Sequence, residues 1–170
     1  MSDGSTWKDA LVARYKHLFG RGGFPTVGDG WCDLLERCLS RIELSRGRGQ
    51  VQIVQIKEKF GTLRVYWGGE KLSDAAIARI EEAIELAEMR SACTCEECGA
   101  EGRLYNRGGW YLTRCPEHAQ GEPVNVKVGT EKMRIVTKYI GDKRITSAWR
   151  YDRELDVLVP APVPKDVADE

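Results

Sequence analysis

The chain has 170 residues, of which 42% are hydrophobic and 31% are charged, and its formal net charge is zero. This composition excludes a disordered polypeptide and provides for one ordinary core, with or without a small appendage. The balanced total does not exclude a local basic face, because residues 41–69 and 121–153 are net basic whereas residues 70–101 and 154–170 are net acidic.

The N-terminal stretch MSDGSTWKDALVARYKHLFG contains no uninterrupted apolar run after a basic start. The sequence therefore predicts neither a signal peptide nor a transmembrane segment. We expect a soluble cytoplasmic protein with no membrane partner. In a reducing cytoplasm, six cysteines do not imply three disulfide bonds.

Helical periodicity predicts two helices before the first strand. The first covers residues 5–19, and the second covers residues 30–43 with Asp29 as its N-cap. We interpret His17 as an ordinary surface or boundary histidine. The apolar stripe of the first helix consists of Trp7, Leu11, Tyr15 and Leu18, and that of the second consists of Trp31, Leu34, Leu35, Cys38, Leu39 and Ile42.

A hairpin is predicted next, with strands at residues 51–57 and 62–67 and a turn near residues 59–61. Pairing Ile56 with Leu63 would also align Val54 with Val65. A third helix, residues 74–90 capped by Ser73, follows the hairpin. Its inward positions are Ile77, Ile80, Ile84 and Ala87, and we interpret its acidic side (Glu81, Glu82, Glu85 and Glu88) as a solvated face.

The segment from Thr94 to Ala119 carries the pattern Cys-x2-Cys, sixteen residues, then Cys-x2-His. Two ligands separated by two residues can face one ion when the backbone bends tightly between them, and Gly99 suits that bend. Three thiolates and one imidazole are a common structural zinc set. The predicted ligands are Cys95, Cys98, Cys115 and His118.

Two other interpretations of these cysteines, a redox Cys-x-x-Cys pair and a disulfide framework, remain open but are less favoured. Cys93 is either a spare buried thiol or a substitute ligand. We attribute Cys32 and Cys38 to core packing. Four protein ligands leave no position for water, so such a zinc site stabilises folding and does not catalyse.

Between the ligand pairs the sequence predicts a short hairpin that turns at residues 106–109, and Pro116 suits the first turn of a helix after Cys115. Knuckle, hairpin and a second ligand pair at a helix start resemble the layout of treble-clef zinc modules, with a zinc ribbon as the near alternative. Trp110 either packs under the zinc loop or stands exposed as a contact, and packing is the favoured interpretation.

Downstream, strands are predicted at residues 124–128, 132–140, 143–151 and 155–159. A three-residue loop, Gly141-Asp142-Lys143, would pair Tyr139 with Ile145, Ile135 with Trp149 and Met133 with Tyr151. We prefer it to a two-residue loop because it separates an apolar face from a basic one. The basic face would hold Arg134, Lys138, Arg144 and Arg150, either as a contact for nucleic acid or an acidic partner or as an ordinary soluble sheet face.

Five motifs, GDGW at 28–31, IKEKFGTLRVYW at 56–67, CEECG at 95–99, GGW at 108–110 and CPEH at 115–118, together resemble a family of short proteins encoded by phages and bacteria. The resemblance covers about residues 24–120. It implies a phage or prophage accessory gene, hence the host cytoplasm, and implies no activity. The chain departs from the pattern at Thr62, where a second glycine is expected.

The predicted fold is α+β: helices and an antiparallel hairpin with a treble-clef-like zinc module and a C-terminal antiparallel β segment. The predicted parts are an α+β core at 1–92, a zinc-binding module at 93–120, a hairpin or meander at 121–160 and a flexible tail at 161–170.

These features are compatible with three functions to different degrees. The preferred one is a non-enzymatic interaction or regulatory factor held rigid by zinc, with protein or nucleic acid as its partner. The second is a nucleic-acid binder that uses the basic C-terminal hairpin, with Lys57, Lys59 and Arg64 of the first hairpin as further contacts. A nuclease is disfavoured, since His-Asn-His nucleases on treble-clef scaffolds need histidines beyond the zinc set and the sequence leaves only His17.

Overall fold

A computed structural model describes residues 6–127 and 129–165 and confirms the α+β class. The chain divides into two compact units, residues 1–124 and residues 125–170. The end of the predicted tail, residues 166–170, lies outside the described residues, as does Val128 of the predicted strand 124–128. Within the described residues, no helix combines the length and the apolar character needed to cross a membrane.

The described residues of the first unit form three α-helices and two three-stranded sheets. The helices are α1 (Trp7–Arg14), α2 (Cys32–Ser45) and α3 (Asp74–Ser91). The first sheet has the order β1 (Pro25–Thr26), β2 (Gln50–Lys59), β3 (Thr62–Glu70), with β1 parallel and β3 antiparallel to β2. The second has the order β5 (Trp110–Arg114), β4 (Arg103–Arg107), β6 (Glu122–Pro123), all antiparallel.

The core of the first unit lies between the helices and one face of the first sheet. Each fully buried large side chain contributes about 1.5–3 kcal/mol of hydrophobic stabilisation. Of the predicted inward positions of α3, Ile80, Ile84 and Ala87 are buried, and Ile77 is half-buried. Fully buried members include Leu18 after α1, Trp31, Leu35, Leu39 and Ile42 at α2, Ile53 and Ile56 on β2, Leu63 on β3 and Ile80 on α3.

The helix starts show one correct and one incorrect capping prediction. Ser73 caps α3 as predicted, and its side chain accepts a hydrogen bond from the backbone N–H of Ala76. The prediction that Asp29 caps α2 is wrong. A 3-10 turn at Asp29–Trp31 precedes α2, and the Asp29 carboxylate accepts instead from the Trp7 indole N–H at 2.6 Å.

The first hairpin exists as predicted, but its register differs. Ile56 pairs with Val65, and Leu63 pairs with Glu58. A two-residue turn, Phe60-Gly61, sets this register, with φ of 55° and 80°. The left-handed Phe60 is unusual for a non-glycine residue, and the Glu58 side chain accepts from the Gly61 N–H across the turn. A bulge at Val54 leaves that side chain 58% exposed.

In the described part of the second unit, three strands form an antiparallel sheet: β7 (Met133–Ile140), β8 (Lys143–Asp152) and β9 (Val157–Ala161). The predicted strand at 124–128 is not formed by residues 124–127. The turn between β8 and β9 places the Asp156 carboxylate where it accepts a hydrogen bond from the buried Tyr151 hydroxyl at 2.6 Å.

The predicted three-residue loop between β7 and β8 is wrong. Ile140 pairs with Lys143, so Gly141 and Asp142 form a two-residue turn, and Arg134 stands opposite Trp149. Gly141 has φ of 60°, which suits the first central position of a type II′ turn. The preference for segregated faces assumed one buried face, but none of the β7 side chains is buried, so the turn decides the register.

His17 lies at the surface, one of the two predicted positions, and it takes part in a cluster with two charged residues. Its ring hydrogen-bonds Glu43 of α2, and the Arg46 guanidinium donates two hydrogen bonds to the same carboxylate. The bonds from Arg46, and after them the one with His17, lower the pKa of Glu43 from 4.5 to about 2. The cluster joins the segment after α1 to the C-terminal end of α2.

We expect the Glu43→Gln substitution to destabilise the protein at pH 6 and to matter less at pH 3.5. A carboxylate whose pKa is lower in the folded state contributes stability above its unfolded value, near 4.5, and loses it as the pH falls towards 2. Urea denaturation of wild type and variant at both pH values measures this difference. Glu81→Gln, at an exposed carboxylate of α3, is the control. If Glu43→Gln lowers the free energy of unfolding by the same amount at pH 6 and at pH 3.5, the assignment is contradicted.

Candidate metal centre

The four predicted ligands converge on one point. Ligand atoms of Cys95, Cys98, Cys115 and His118 all lie within 4.8 Å of one another. The Cys98 and Cys115 sulfurs are 3.7 Å apart, and the His118 Nδ1 lies 3.7 Å from the Cys95 sulfur and 3.3 Å from the Cys115 sulfur. A disulfide requires about 2.05 Å between sulfurs, and all six cysteines are free.

The first ligand pair lies on a tight backbone loop. The Gly99 N–H donates to the Cys95 carbonyl at 2.9 Å, and the Cys95 N–H donates to the Ala100 carbonyl at 2.8 Å. Gly99 has φ of 79°, so the glycine is needed where the sequence predicted it. This closed loop turns both thiols of the pair to the same side.

The second ligand pair is delivered by the β4–β5 hairpin. The hairpin turns at Gly108-Gly109, both with positive φ, and β5 ends directly before Cys115. Cys115 then caps a 3-10 turn, Pro116–His118, which Pro116 begins as predicted. The His118 N–H donates to the Cys115 carbonyl at 3.1 Å, and this turn brings the imidazole back beside the thiol.

The cluster favours the ionised form of at least one thiol. Burial alone would raise the pKa of Cys95, but the backbone N–H groups of Cys115, Cys98 and Glu97 together lower it to about 7. Hydrogen bonds with Cys115 and then Cys95 raise the pKa of His118. Thiolates are the form of cysteine that binds metal ions, and these backbone amides stabilise the thiolate of Cys95.

The GDGW motif is the dock for the first ligand pair. The Gly28 N–H donates to Glu96 Oε1 at 3.0 Å, and the Gly30 N–H donates to the Glu96 carbonyl at 2.8 Å. The buried Trp31 indole donates to the Thr94 carbonyl at 2.9 Å. A Cβ on Gly30 would lie 2.2 Å from the Cys95 carbonyl oxygen, so no other residue fits this approach without a shift. The motif therefore joins the core to the loop that carries Cys95 and Cys98, which we call the metal loop.

A buried ion pair braces the two ligand pairs against each other. Arg114, directly before Cys115, donates to Glu96 Oε2 and to Glu97 Oε1, each at 3.0 Å. Both glutamates lie between Cys95 and Cys98. Arg114 and Glu96 are buried, and breaking a buried pair of this kind costs about 3–5 kcal/mol. The brace fixes the relative position of the segments that carry the ligands.

Two further hydrogen bonds tie the rest of the core to this region. The Thr113 hydroxyl donates to the Gly61 carbonyl at 2.6 Å, which holds the tip of the first hairpin against β5. The Ser91 hydroxyl, at the end of α3, accepts from the Leu63 N–H of β3 at 2.8 Å. The KEKFG segment at the tip of the first hairpin, residues 57–61, and the metal loop are thus neighbours in space.

Sequence reasoning missed these supporting residues. The sequence assigned no individual role to Glu96 or Arg114, and Gly28 and Gly30 entered only as part of the GDGW motif. A signal was available, because two glycines flanking an aspartate directly before a buried tryptophan indicate a close backbone approach. The partner of that approach, about 68 positions along the chain, carries no periodic signal.

The remaining cysteines lie outside the cluster. Cys93 is buried, and its thiol donates to the Arg90 carbonyl at 3.4 Å, as the spare-thiol interpretation expects. Cys38 is buried in the core, and Cys32 is half-buried at the start of α2. The favoured interpretation of Trp110 is wrong, because this side chain is 71% exposed at the tip of the β4–β5 hairpin.

The four cations predicted as one contact surface do not share a face. In the observed register Arg134 and Lys138 lie on one side of the second unit's sheet, and Arg144 and Arg150 lie on the other. Burial lowers the pKa of Arg134, and Arg150 donates to the Gly129 carbonyl at 3.2 Å. The hairpin therefore offers two cations of this set on each side.

The fold and the site define the class: an α+β protein whose Cys3His cluster can hold a metal ion. No protein-family model, no curated protein and no solved structure matches this chain.

Proposed function

We propose that the cluster binds one zinc ion. Zinc bound tetrahedrally at about 2.3 Å to sulfur and about 2.0 Å to nitrogen puts two sulfurs about 3.8 Å apart, and a sulfur and a nitrogen about 3.5 Å apart. The measured sulfur–sulfur distance of 3.7 Å and the sulfur–nitrogen distances of 3.7 and 3.3 Å fit this cage. Three thiolates and one imidazole also favour zinc over harder ions.

The proposed site is structural. Four protein ligands saturate a tetrahedral zinc ion and leave no position for a water or a substrate. The loop of Cys95 and Cys98, the β4–β5 hairpin and the 3-10 turn of Cys115 and His118 support a treble-clef-like module. GDGW anchors its first ligand-bearing segment to the core, and Arg114 ties the two ligand-bearing segments to each other.

The chain acts, in this proposal, as a non-enzymatic interaction or regulatory factor whose shape zinc maintains. The observation that carries it is the closed ligand set docked directly onto the core, which supplies rigidity and no reactive position. The resemblance to short phage and bacterial proteins supports a phage or prophage accessory role in the host cytoplasm. The partner is a protein or a nucleic acid.

Native mass spectrometry of protein purified without chelator tests the proposal. We expect the polypeptide mass plus one zinc ion, and loss of that ion in Cys98→Ser. Cys98 is exposed, so this substitution removes a ligand with little effect on packing. Cys32→Ser, outside the cluster, is the matched control and should retain the ion. A wild-type spectrum with only the bare polypeptide mass contradicts the proposal.

A further inference from the structure

The first sheet has a second face, opposite the helices, that the fold leaves exposed. We call it the outer face and define it by Phe24, Gln55, Lys57, Lys59, Arg64 and Tyr66. The buried positions Ile56, Leu63 and Val65 alternate with these residues along the strands and point into the core. The outer face is thus the solvent-facing side of a sheet whose other side packs against the core.

Strand register arranges the outer face in rows. Gln55 stands opposite Tyr66, and Lys57 stands opposite Arg64 with Thr26 of β1 on its other side. Continuing the parallel β1–β2 register by one residue places Phe24 beside Gln55. An aromatic row therefore lies next to a cationic row. Phe24 is 48% exposed and Tyr66 is 42% exposed, so both rings present area to solvent.

The charge of the outer face is positive where the rings are. The Lys57 ammonium lies 5.2 Å from the centroid of the Tyr66 ring, and Lys59 follows two positions along the same strand. Arg64, 33% exposed at the edge of the sheet, lies 3.8 Å from Glu88 and donates to the Thr62 hydroxyl and the Leu63 carbonyl, each at 2.7 Å, so its positive charge is shared with these groups. Within β3 itself, the carboxylate on this side is Glu70, about 13 Å from Tyr66 along the strand.

We propose that the outer face binds single-stranded nucleic acid. Exposed aromatic rings stack on unpaired bases, and neighbouring cations neutralise the phosphates, which is the general chemistry of sheet surfaces that hold single strands. A duplex hides its base faces and is read by elements that enter a groove, whereas this face is a pleated sheet. The inference rests on the proposed interaction function and names its partner.

Fluorescence anisotropy with a labelled 15-nucleotide oligothymidylate tests the inference on the full, zinc-loaded chain. If Lys57, Lys59 and Arg64 each neutralise one phosphate of the single-stranded oligonucleotide, the affinity should fall about 20-fold between 50 and 200 mM salt. The variant Lys57→Gln/Lys59→Gln/Arg64→Gln should bind weakly with a flatter salt dependence. Tyr66→Leu and Phe24→Leu, which keep apolar bulk and remove the ring, should each weaken binding about fivefold or more.

The matched control removes the same charge elsewhere: Lys138→Gln/Arg144→Gln/Arg150→Gln should leave the affinity within about twofold. Equal weakening by this control would overturn the inference in favour of unspecific attraction. Equal binding of a duplex, or displacement of the strand by polyglutamate with normal binding by the two leucine variants, would overturn it in favour of a duplex or an acidic protein. Absence of binding at 50 mM salt by a chain that carries its zinc ion overturns this inference alone and leaves the proposed function standing.

Discussion

Replacing Gly30 with alanine is expected to destabilise the protein by about 3 kcal/mol and to weaken binding of the proposed zinc ion. The added Cβ would lie 2.2 Å from the Cys95 carbonyl oxygen, 2.4 Å from the Gly99 nitrogen and 2.7 Å from the Cys98 nitrogen. All three are backbone atoms of the metal loop, so no side-chain rotation relieves the overlap. Urea denaturation measures the stability, and competition with a chromophoric chelator measures the metal affinity.

Gly68→Ala is the matched control for this substitution. Gly68 lies in a strand, and a Cβ there would meet nothing within 4 Å. We expect this variant to equal the wild type in metal affinity and to be at least as stable, since alanine restricts the unfolded chain more than glycine does. If Gly30→Ala behaves like Gly68→Ala in both measurements, GDGW is not the dock for the metal loop.

Removal of the metal ion is expected to open the region of residues 93–118 while the helical core keeps its fold. Structural zinc in small modules contributes apparent binding energies of about 10–16 kcal/mol at neutral pH, which exceeds the whole stability of many domains. Without the ion, three thiols and an imidazole would have to remain clustered with only hydrogen bonds between them. The core around Leu35, Leu39 and Ile53 is apolar and needs no metal ligand.

Amide hydrogen exchange followed by mass spectrometry separates these two regions. Chelation, or the substitution Cys115→Ala, should raise exchange strongly in residues 93–118 and only moderately in residues 34–42. Cys93→Ala removes a buried thiol that is outside the cluster, and it should preserve protection in both regions. Unchanged protection of residues 93–118 in metal-free protein would show that hydrogen bonds alone hold the module.

The parts of the fold that the sequence predicts are those set by nearby residues. Helical periodicity finds α2 and α3, and ligand spacing with Gly99 and Pro116 finds the metal cluster, because each signal is complete within a few positions. The predicted registers of both long hairpins are wrong for a related reason. Each closes through two residues with a left-handed position, Phe60-Gly61 and Gly141-Asp142, and local turn geometry outweighs apolar pairing there.

The supports of the metal loop were not predictable in the same way. Gly28, Trp31 and Arg114 act through partners that are distant in the chain, Glu96 or Thr94, and one sequence shows no pairing between them. For Trp110, by contrast, packing was predicted where the side chain is exposed. Its large apolar area argues for burial in general, but a hairpin tip leaves it without a covering element.

The distance along the chain between GDGW and the metal loop has a consequence for biosynthesis. Gly28 binds Glu96, so the dock leaves the ribosome well before its partner. At about 5–20 residues per second, the nascent chain waits on the order of several seconds with this tryptophan-bearing surface uncovered. Binding of the proposed zinc ion can therefore complete the first unit only after α1, α2 and α3 have emerged.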